Sequence, residues 1–300
     1  MAFDNVFGAP PSELADISSP FRQFSPLCPG ARRLADFDGG LDNLAMLAPP
    51  GALERRAALA LALRALKPGA PLLAMAPKDK GGGRLAKDLA DLGCASVETS
   101  KRHHRICSAQ AGGDPDAIEA AIRAGAPRLS DSMGLWTQPG VFSWDRIDPG
   151  TELLASRLPE FSGRGADLGC GIGVLAHRIL TSARVKSLVM VDIDRRAIDL
   201  CARNVDDSRA KVLWDDVRTL KKAETLDFVV MNPPFHDSGR ENKGLGLAFI
   251  DRAAEFLRTG GACWLVANRH LPYEAALEDK FRSVAPVAEA AGFKVIEAVK

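Results

Sequence analysis

The sequence predicts an α/β protein: a C-terminal domain with a mostly parallel sheet, preceded by a smaller, degenerate α/β domain of related design. Three observations lead there. Leu226 to His236 reads Leu-Asp-Phe-Val-Val-Met-Asn-Pro-Pro-Phe-His, a short β-branched apolar run that breaks at two prolines. Ala166 to Gly173 reads Ala-Asp-Leu-Gly-Cys-Gly-Ile-Gly and leads into a helix from Val174 to Leu180. The stretch from Leu41 to Lys78 repeats, in the same order, features of the stretch from Leu226 to Arg269.

The first observation fixes a strand and its end. Neither Pro233 nor Pro234 has an N–H for a sheet ladder, and Pro233 keeps Asn232 out of the helical region. A stiff elbow results at the carboxyl end of a strand, where open α/β sheets place their ligands. It carries an amide side chain, carbonyls without competing N–H groups and an aromatic ring. The Asn232 oxygen and the Pro233 carbonyl suit one NH2 group, and Phe235 suits the face of a flat ring. An Asn-Pro turn closing a strand would give the same tetrapeptide, so the elbow is weighed with its surroundings.

Composition bounds the answer. Three hundred residues suffice for two domains, and 46% apolar with 26% charged residues is ordinary for a soluble globular protein. A net charge of +1 leaves nucleic-acid binding to local patches. No signal peptide or membrane span is expected. The six cysteines form no CxxC pair and have no histidine at ligand spacing, which predicts reduced thiols in a cytoplasmic protein and no metal.

Residues 1 to about 40 show no clear periodicity and predict no element. A strand Leu44–Leu47, a Pro-Pro turn, a helix Ala52–Leu66 and a strand Leu72–Met75 follow, with Lys67-Pro68-Gly69 ending the helix. This is the copy of the later segment, with Leu47 in place of Asn232 and Pro50 in place of Phe235. It has only about forty residues ahead of its elbow, too few for a nucleotide-holding half. The expectation is a catalytically silent domain over residues 1–125. Two basic clusters, Lys78 to Lys87 on a mobile glycine loop and Lys101 to Arg105, could hold phosphate, although such runs are more often solvated faces. The triple glycine lacks the Gly-Lys-Ser/Thr ending of an ATP loop. Ala111-Gly112-Gly113-Asp114-Pro115 opens a connection, Asp116–Arg123 reads as a helix, and Ala126-Pro127 is the expected boundary.

The second domain, 126–300, carries the glycine loop, preceded by a helix expected over Glu152–Leu158. Glycines at 169, 171 and 173 let the strand turn tightly and let a ligand reach backbone N–H groups. The third comes one residue earlier than in the dinucleotide fingerprint. Asp167, just before the loop, would repel a pyrophosphate but suits the cationic amino end of S-adenosyl-L-methionine. A strand Ser187–Val191 ends at Asp192, placed to accept from ribose hydroxyls. Lys211–Trp214 ends at Asp215-Asp216, and Asp216 is chosen to receive an adenine amino group.

With these residues in place, 138–300 resembles the small-subunit ribosomal RNA guanine-N2 methyltransferases, with their large-subunit relatives, class I enzymes with a Rossmann-like catalytic domain. The resemblance rests on Pro139-Gly140-Val141-Phe142-Ser143, Asp148-Pro149-Gly150-Thr151, the 167–173 loop, Asn232 to His236 and Val266 to Tyr273. It implies two homologous domains, the second catalytic and the first, here shortened, helping to hold RNA. It implies that Asn232, Pro233, Pro234 and Phe235 bind the target base, that Gly150 and Thr151 lie near the methionine end of the cofactor, and that Asp192 binds its ribose. His236 is expected to be a hydrogen-bonding neighbour. The expected partner is ribosomal RNA or a ribosomal subunit, with the protein a monomer or weak homo-oligomer. Adenine N6, a protein glutamine amide, or a non-catalytic cofactor- and RNA-binding module are the competing expectations.

Overall fold

Three strands precede the first α-helix in a computed structural model that describes residues 2–222, 224–234, 236–237, 240–241 and 243–300. The chain divides into two units, the first reaching Arg128 and including Gln138–Gly140, the second comprising Leu129–Thr137 and Val141–Lys300.

The first unit contains β1 (Phe3–Phe7), β2 (Ile17–Gln23), β3 (Leu44–Leu47), α1 (Ala52–Ala65), β4 (Pro71–Pro77), α2 (Leu85–Asp91), β5 (Ser96–Lys101), β6 (His104–Gln110) and α3 (Pro115–Ala124). Its six strands run in the order β2-β1-β3-β4-β6-β5. The first four are parallel, and β5 and β6 close one edge as an antiparallel hairpin. Residues 1–40, for which the sequence predicts no element, therefore supply two strands. The five residues of β1 are too few to show a period, and their order comes from pairing with β3, some forty positions away. The glycine loop after β4 is a packed turn: a Cβ on Gly82 would lie 2.7 Å from both the Ala76 and Pro77 carbonyl oxygens.

A short pair, β7 (Arg128–Ser130) and β8 (Leu135–Thr137), lies at the start of the second unit, Arg128 itself being the last residue of the first stretch. There follow α4 (Pro149–Arg157), β9 (Gly163–Leu168), α5 (Val174–Leu180), β10 (Val185–Asp192), α6 (Arg195–Asn204), β11 (Ala210–Trp214) and β12 (Leu226–Met231). After a two-residue pair, β13 (His236–Asp237) and β14 (Arg240–Glu241), come α7 (Lys243–Phe256), β15 (Leu257–Asn268), α8 (Glu274–Lys280), β16 (Ser283–Ala290) and β17 (Phe293–Val299). The main sheet runs β11-β10-β9-β12-β15-β17-β16, parallel except for its last two strands. Helix α4 begins at Pro149, three residues before its expected start, because Asp148 caps it and proline fits the first helical position.

Strand β12 shows why an apolar run was needed. Val229 and Met231 join Leu168, Leu265, Phe249 and Ile250 on one face, while Phe228 and Val230 join Leu188, Met190 and Trp264 on the other. All four residues are buried, each contributing about 1.5–3 kcal/mol of transfer free energy.

The internal repeat is written in backbone hydrogen bonds. Gly69 N donates to Ala111 O at 2.7 Å, as Gly260 N does to Lys300 O at 2.8 Å. Ala111 N donates to Ala70 O, as Lys300 N does to Gly261 O. Lys78 N meets His103 O as Arg269 N meets Gly292 O, both at 2.8 Å. The ion pair Asp42–Lys67 at 2.6 Å recurs as Asp227–Arg258 at 2.7 Å. Followed through the strand registers, Leu47 corresponds to Asn232, Val6 to Asp167 and Gly8 to Gly169, both glycines at φ near +77°. No helix separates β1 from β2, whereas α5 separates β9 from β10. The elbow after β3 is filled from within: Arg55 donates to Pro50 O at 2.8 Å and pairs with Asp88 at 2.7 Å, both side chains buried. Asp88→Asn would leave the Arg55 charge buried without its counter-ion. We expect a loss of about 3–5 kcal/mol, measured as a lower urea midpoint of unfolding.

Candidate active site

The chain leaves β9 through β10 and β11 to one side, then returns to the other side as β12. The sheet order reverses between β9 and β12, and ligands of open α/β sheets bind at the carboxyl ends of strands at such a point. The glycine loop closes β9 and the Asn232 elbow closes β12, so two motifs about sixty residues apart in sequence become neighbours. A Cβ on Gly169, at φ +77°, would lie 3.3 Å from the Phe249 ring and 3.8 Å from the Asn232 carbonyl oxygen. Gly171, at φ +52°, is open where a Cβ would project. Gly173 caps α5, and a Cβ there would press on Val205 and the Cys201 sulfur at 2.8 and 3.0 Å. Each glycine thus answers a different constraint.

Behind the loop lies Asp167, fully buried, with neither carboxylate oxygen meeting a hydrogen-bond donor among the described residues. Burial, reinforced by the nearby Asp192 charge, pushes its pKa up to about 8. Asp192 accepts from Gly171 N at 2.9 Å and from Asp194 N at 2.8 Å, which ties the end of β10 to the glycine loop. Its pKa is raised to about 6, burial outweighing those two bonds. Asp216 accepts from the Arg218 backbone N and guanidinium at 2.6–2.9 Å; the guanidinium holds its carboxyl below the usual range. A fully buried acid and a half-buried one, both with raised pKa, would be favoured in their charged forms by a cation beside the glycine loop.

At the elbow, Asn232 Nδ2 donates to Thr151 Oγ1 at 2.8 Å and to Asp148 Oδ2 at 3.1 Å. The same Asp148 oxygen accepts from Thr151 N at 2.8 Å and from its hydroxyl at 3.2 Å. Gly150 is buried beside them; a Cβ there would meet the Phe293 ring at 2.8 Å and Asp148 Oδ2 at 3.0 Å. Met133, Phe142, Ser143, Ile147, Asp148 and Thr151 line a cleft together with residues 169–172 and Asn232. Of the residues singled out from sequence, Thr151, Gly169, Gly171 and Asn232 face this cleft. Asp192 reaches it through its bond to Gly171, while Asp167, Gly150 and Gly173 support it from behind. Pro233 is buried and Pro234 exposed. Phe235 lies outside the described residues. Sequence reasoning gave Asp148 no role of its own; the signal present was an aspartate before Pro-Gly-Thr, the mark of a helix N-cap.

A model of the methyltransferase small domain matches residues 132–297, more than half of the chain. The chain belongs to that family. Two relatives named ribosomal RNA small subunit methyltransferase C align over most of their length. The Shewanella loihica protein is 32% identical over 243 residues, 79% of this chain and 71% of that one. The Stutzerimonas stutzeri protein is 31% identical over 267 residues, 87% and 80% of the two chains. A third, from Shewanella pealeana, is 36% identical over 163 residues, so that the match spans about half the length of that relative, 48%, and 54% of this chain. Among solved structures, the T. thermophilus 16S rRNA N2 G1207 methyltransferase, in complex with AdoMet and guanosine, is 28% identical with a TM-score of 0.74, over 90% of this chain and 76% of that one. Family membership thus accords with the two-sheet α/β architecture expected from sequence. Among the described residues no group of His, Cys, Asp and Glu is placed to hold a metal ion, and no helix is long and apolar enough to cross a membrane.

The burial of Asp167 has a consequence for stability. A carboxyl whose pKa is higher folded than unfolded keeps its proton longer in the folded state, so folding grows less favourable as pH rises between the two values. For Asp167 that window runs from about 4 to about 8. Asp167→Asn should flatten this part of the stability–pH curve of the ligand-free protein, measured by thermal denaturation at half-unit steps.

Proposed function

We propose that this chain transfers a methyl group from S-adenosyl-L-methionine to the exocyclic N2 amine of a guanine in small-subunit ribosomal RNA. One observation carries the reading. Both protons of the Asn232 amide are engaged by Asp148 and Thr151, which leaves Oδ1 as that side chain's remaining polar atom, at the carboxyl end of β12 beside the glycine loop. The guanine amino nitrogen is a poor nucleophile because its lone pair is delocalised into the ring. Oδ1 of Asn232 and the carbonyl of Pro233 accept its two protons and favour a geometry that frees the lone pair. This is positioning and electrostatics, with no covalent intermediate on the protein.

When bound, the cofactor supplies an electrophilic methyl group on a sulfonium. The donor set fits such a cation: Asp167 is a buried carboxylate without a donor among the described residues, and Gly171 leaves the loop open. In this assignment Asp167 meets the amino end, Gly150 and Thr151 flank the methionine part, Asp192 accepts from the ribose, and Asp216 accepts from the adenine amino group. Gly169 and Gly173 give the loop its shape. Phe235 is assigned to stack on the base. If the guanine lies in a helix, flipping it out costs a few kcal/mol, and such stacking would offset about 1–3 kcal/mol of that.

Residues 126–300 are assigned the chemistry and residues 1–125 the holding of RNA. Supporting the second assignment, the turn after β4 and the β5–β6 turn meet through the Lys78–His103 backbone bond, gathering exposed Lys78, Arg84, Lys101 and Arg102 at one end of the sheet. Replacing Lys78 and Arg84 by Glu should weaken RNA binding and lower its salt slope by about 1 for each phosphate no longer neutralised, read by filter binding across a salt series.

The decisive assay is radiolabelled methyl transfer to naked ribosomal RNA, immature small subunits, DNA and protein, followed by nucleoside analysis. Label in N2-methylguanosine supports the reading; label in N6-methyladenine or methylglutamine replaces it. Asn232→Ala should cost about 10²–10³ in turnover while calorimetry shows unchanged cofactor affinity. Near wild-type turnover in that variant would overturn the mechanism.

A further inference from the structure

We infer that Asp148 is a positioning residue for the transfer: its carboxylate, with the Thr151 hydroxyl, holds the Asn232 amide so that Oδ1, not Nδ2, faces the substrate amine. The inference rests on the assignment of Asn232 to base binding and adds what makes that side chain an acceptor.

An amide has one face that accepts and one that donates, and rotation by a half-turn about its last torsion exchanges them with little change in shape. Nothing in Asn232 itself chooses between the two. Offered the wrong way round, its NH2 would confront the NH2 of the substrate, two donors with no acceptor between them. The surroundings make the choice. A carboxylate only accepts hydrogen bonds, so the group 3.1 Å from Asp148 Oδ2 has to be the amide nitrogen. Thr151 Oγ1, 2.8 Å away, takes the second proton while its own hydroxyl points back to Asp148 at 3.2 Å. Reversing the amide would bring its oxygen against the carboxylate, a repulsion inside a half-buried cleft where screening is weak.

Asp148 is itself held in place. Its Oδ2 accepts from Thr151 N at 2.8 Å as the N-cap of α4, and Pro149 occupies the first helical position. Gly150, lacking a Cβ, leaves room for the carboxylate and the Phe293 ring. The anchor thus belongs to α4 and the amide to β12, so the packing of helix against sheet aims the acceptor.

A simple helix cap is the competing explanation for Asp148, and Asp148→Ser separates the two. One oxygen of Asp148 both caps α4 and receives the Asn232 amide. Serine caps a helix about as well as aspartate, but its hydroxyl can donate as well as accept, so it no longer compels Asn232 to donate. In the full-length protein we expect D148S to leave the melting temperature, the cofactor Kd and the KM for RNA little changed. Its kcat should fall on the order of 10- to 100-fold, the scale of a misplaced reacting group. The side-chain NH2 protons of Asn232, identified by their absence in N232A, should exchange slowly in the unliganded wild type and faster in D148S. A reciprocal exchange gives the sharper test. N232D sets two carboxylates against each other and should be inactive. Adding D148S lets the new hydroxyl donate to the new carboxylate, whose second oxygen still faces the substrate, so the double variant should recover at least about tenfold over N232D, a coupling that a cap alone would not produce. Wild-type kcat in D148S, or a double variant no better than N232D, would overturn the inference. Thr151→Val removes the other arm while keeping the cap; measured at saturating cofactor, it should lower kcat in the same sense, and it serves as the test if D148S does not fold. Full activity in N232A would instead remove the base-binding role on which the inference rests.

Discussion

Two consecutive prolines withdraw two N–H donors from β12, and the parallel pairing with β9 and β15 ends at Met231 opposite Leu168 and Leu265. That interruption governs the rest of the site. Because β12 stops level with β9, its elbow and the glycine loop open at the same height on the sheet. Because β9 and β12 straddle the reversal of strand order, no crossover helix covers the gap between them. The polar groups of the elbow then face a cleft bounded by α4, the loop and the residues just before α4.

Electrostatics are arranged against stability here. Asp167 sits fully buried without a donor among the described residues, and Asp192 lies close enough to raise its pKa further. A protein selected only to fold would carry an apolar residue, and the first unit does so: Val6 occupies the corresponding place. The same contrast runs through the repeat. Where the second unit has an amide held by a carboxylate and a hydroxyl, the first has Leu47. Where the second leaves a cleft, the first inserts the Arg55 guanidinium between Pro50 and Asp88. Shared backbone hydrogen bonds preserve the scaffold, while side chains at the strand ends decide whether it holds a ligand.

The glycines show how one residue type serves unlike ends. Gly69 and Gly260 shape equivalent turns at φ +77° and +76°, a matter of fold alone. Gly150 has an ordinary backbone, and what counts there is the missing methyl group, which gives space to Asp148 and Phe293. Gly171 combines a positive φ with an open face that lines the cleft, and its N–H ties the loop to Asp192.

Local chemistry determined a good deal. Pro-Pro after a β-branched run fixes an elbow, Gly-Cys-Gly-Ile-Gly before an apolar helical pattern fixes a loop, and the matching order of two segments reveals a repeat; each is settled by neighbouring residues or by self-comparison. The strands β2, β5 and β16 were not legible, because exposed or polar strands acquire their identity from partners elsewhere in the sheet. Nor could the sequence assign Asp148, eighty-four positions from Asn232, beyond a helix cap. Only the packing of α4 against the carboxyl end of the sheet brings that carboxylate within 3.1 Å of the amide and makes the amide an acceptor. Sequence supplied the functional groups; tertiary structure chose their orientation, because an amide has no preferred face until a neighbour imposes one.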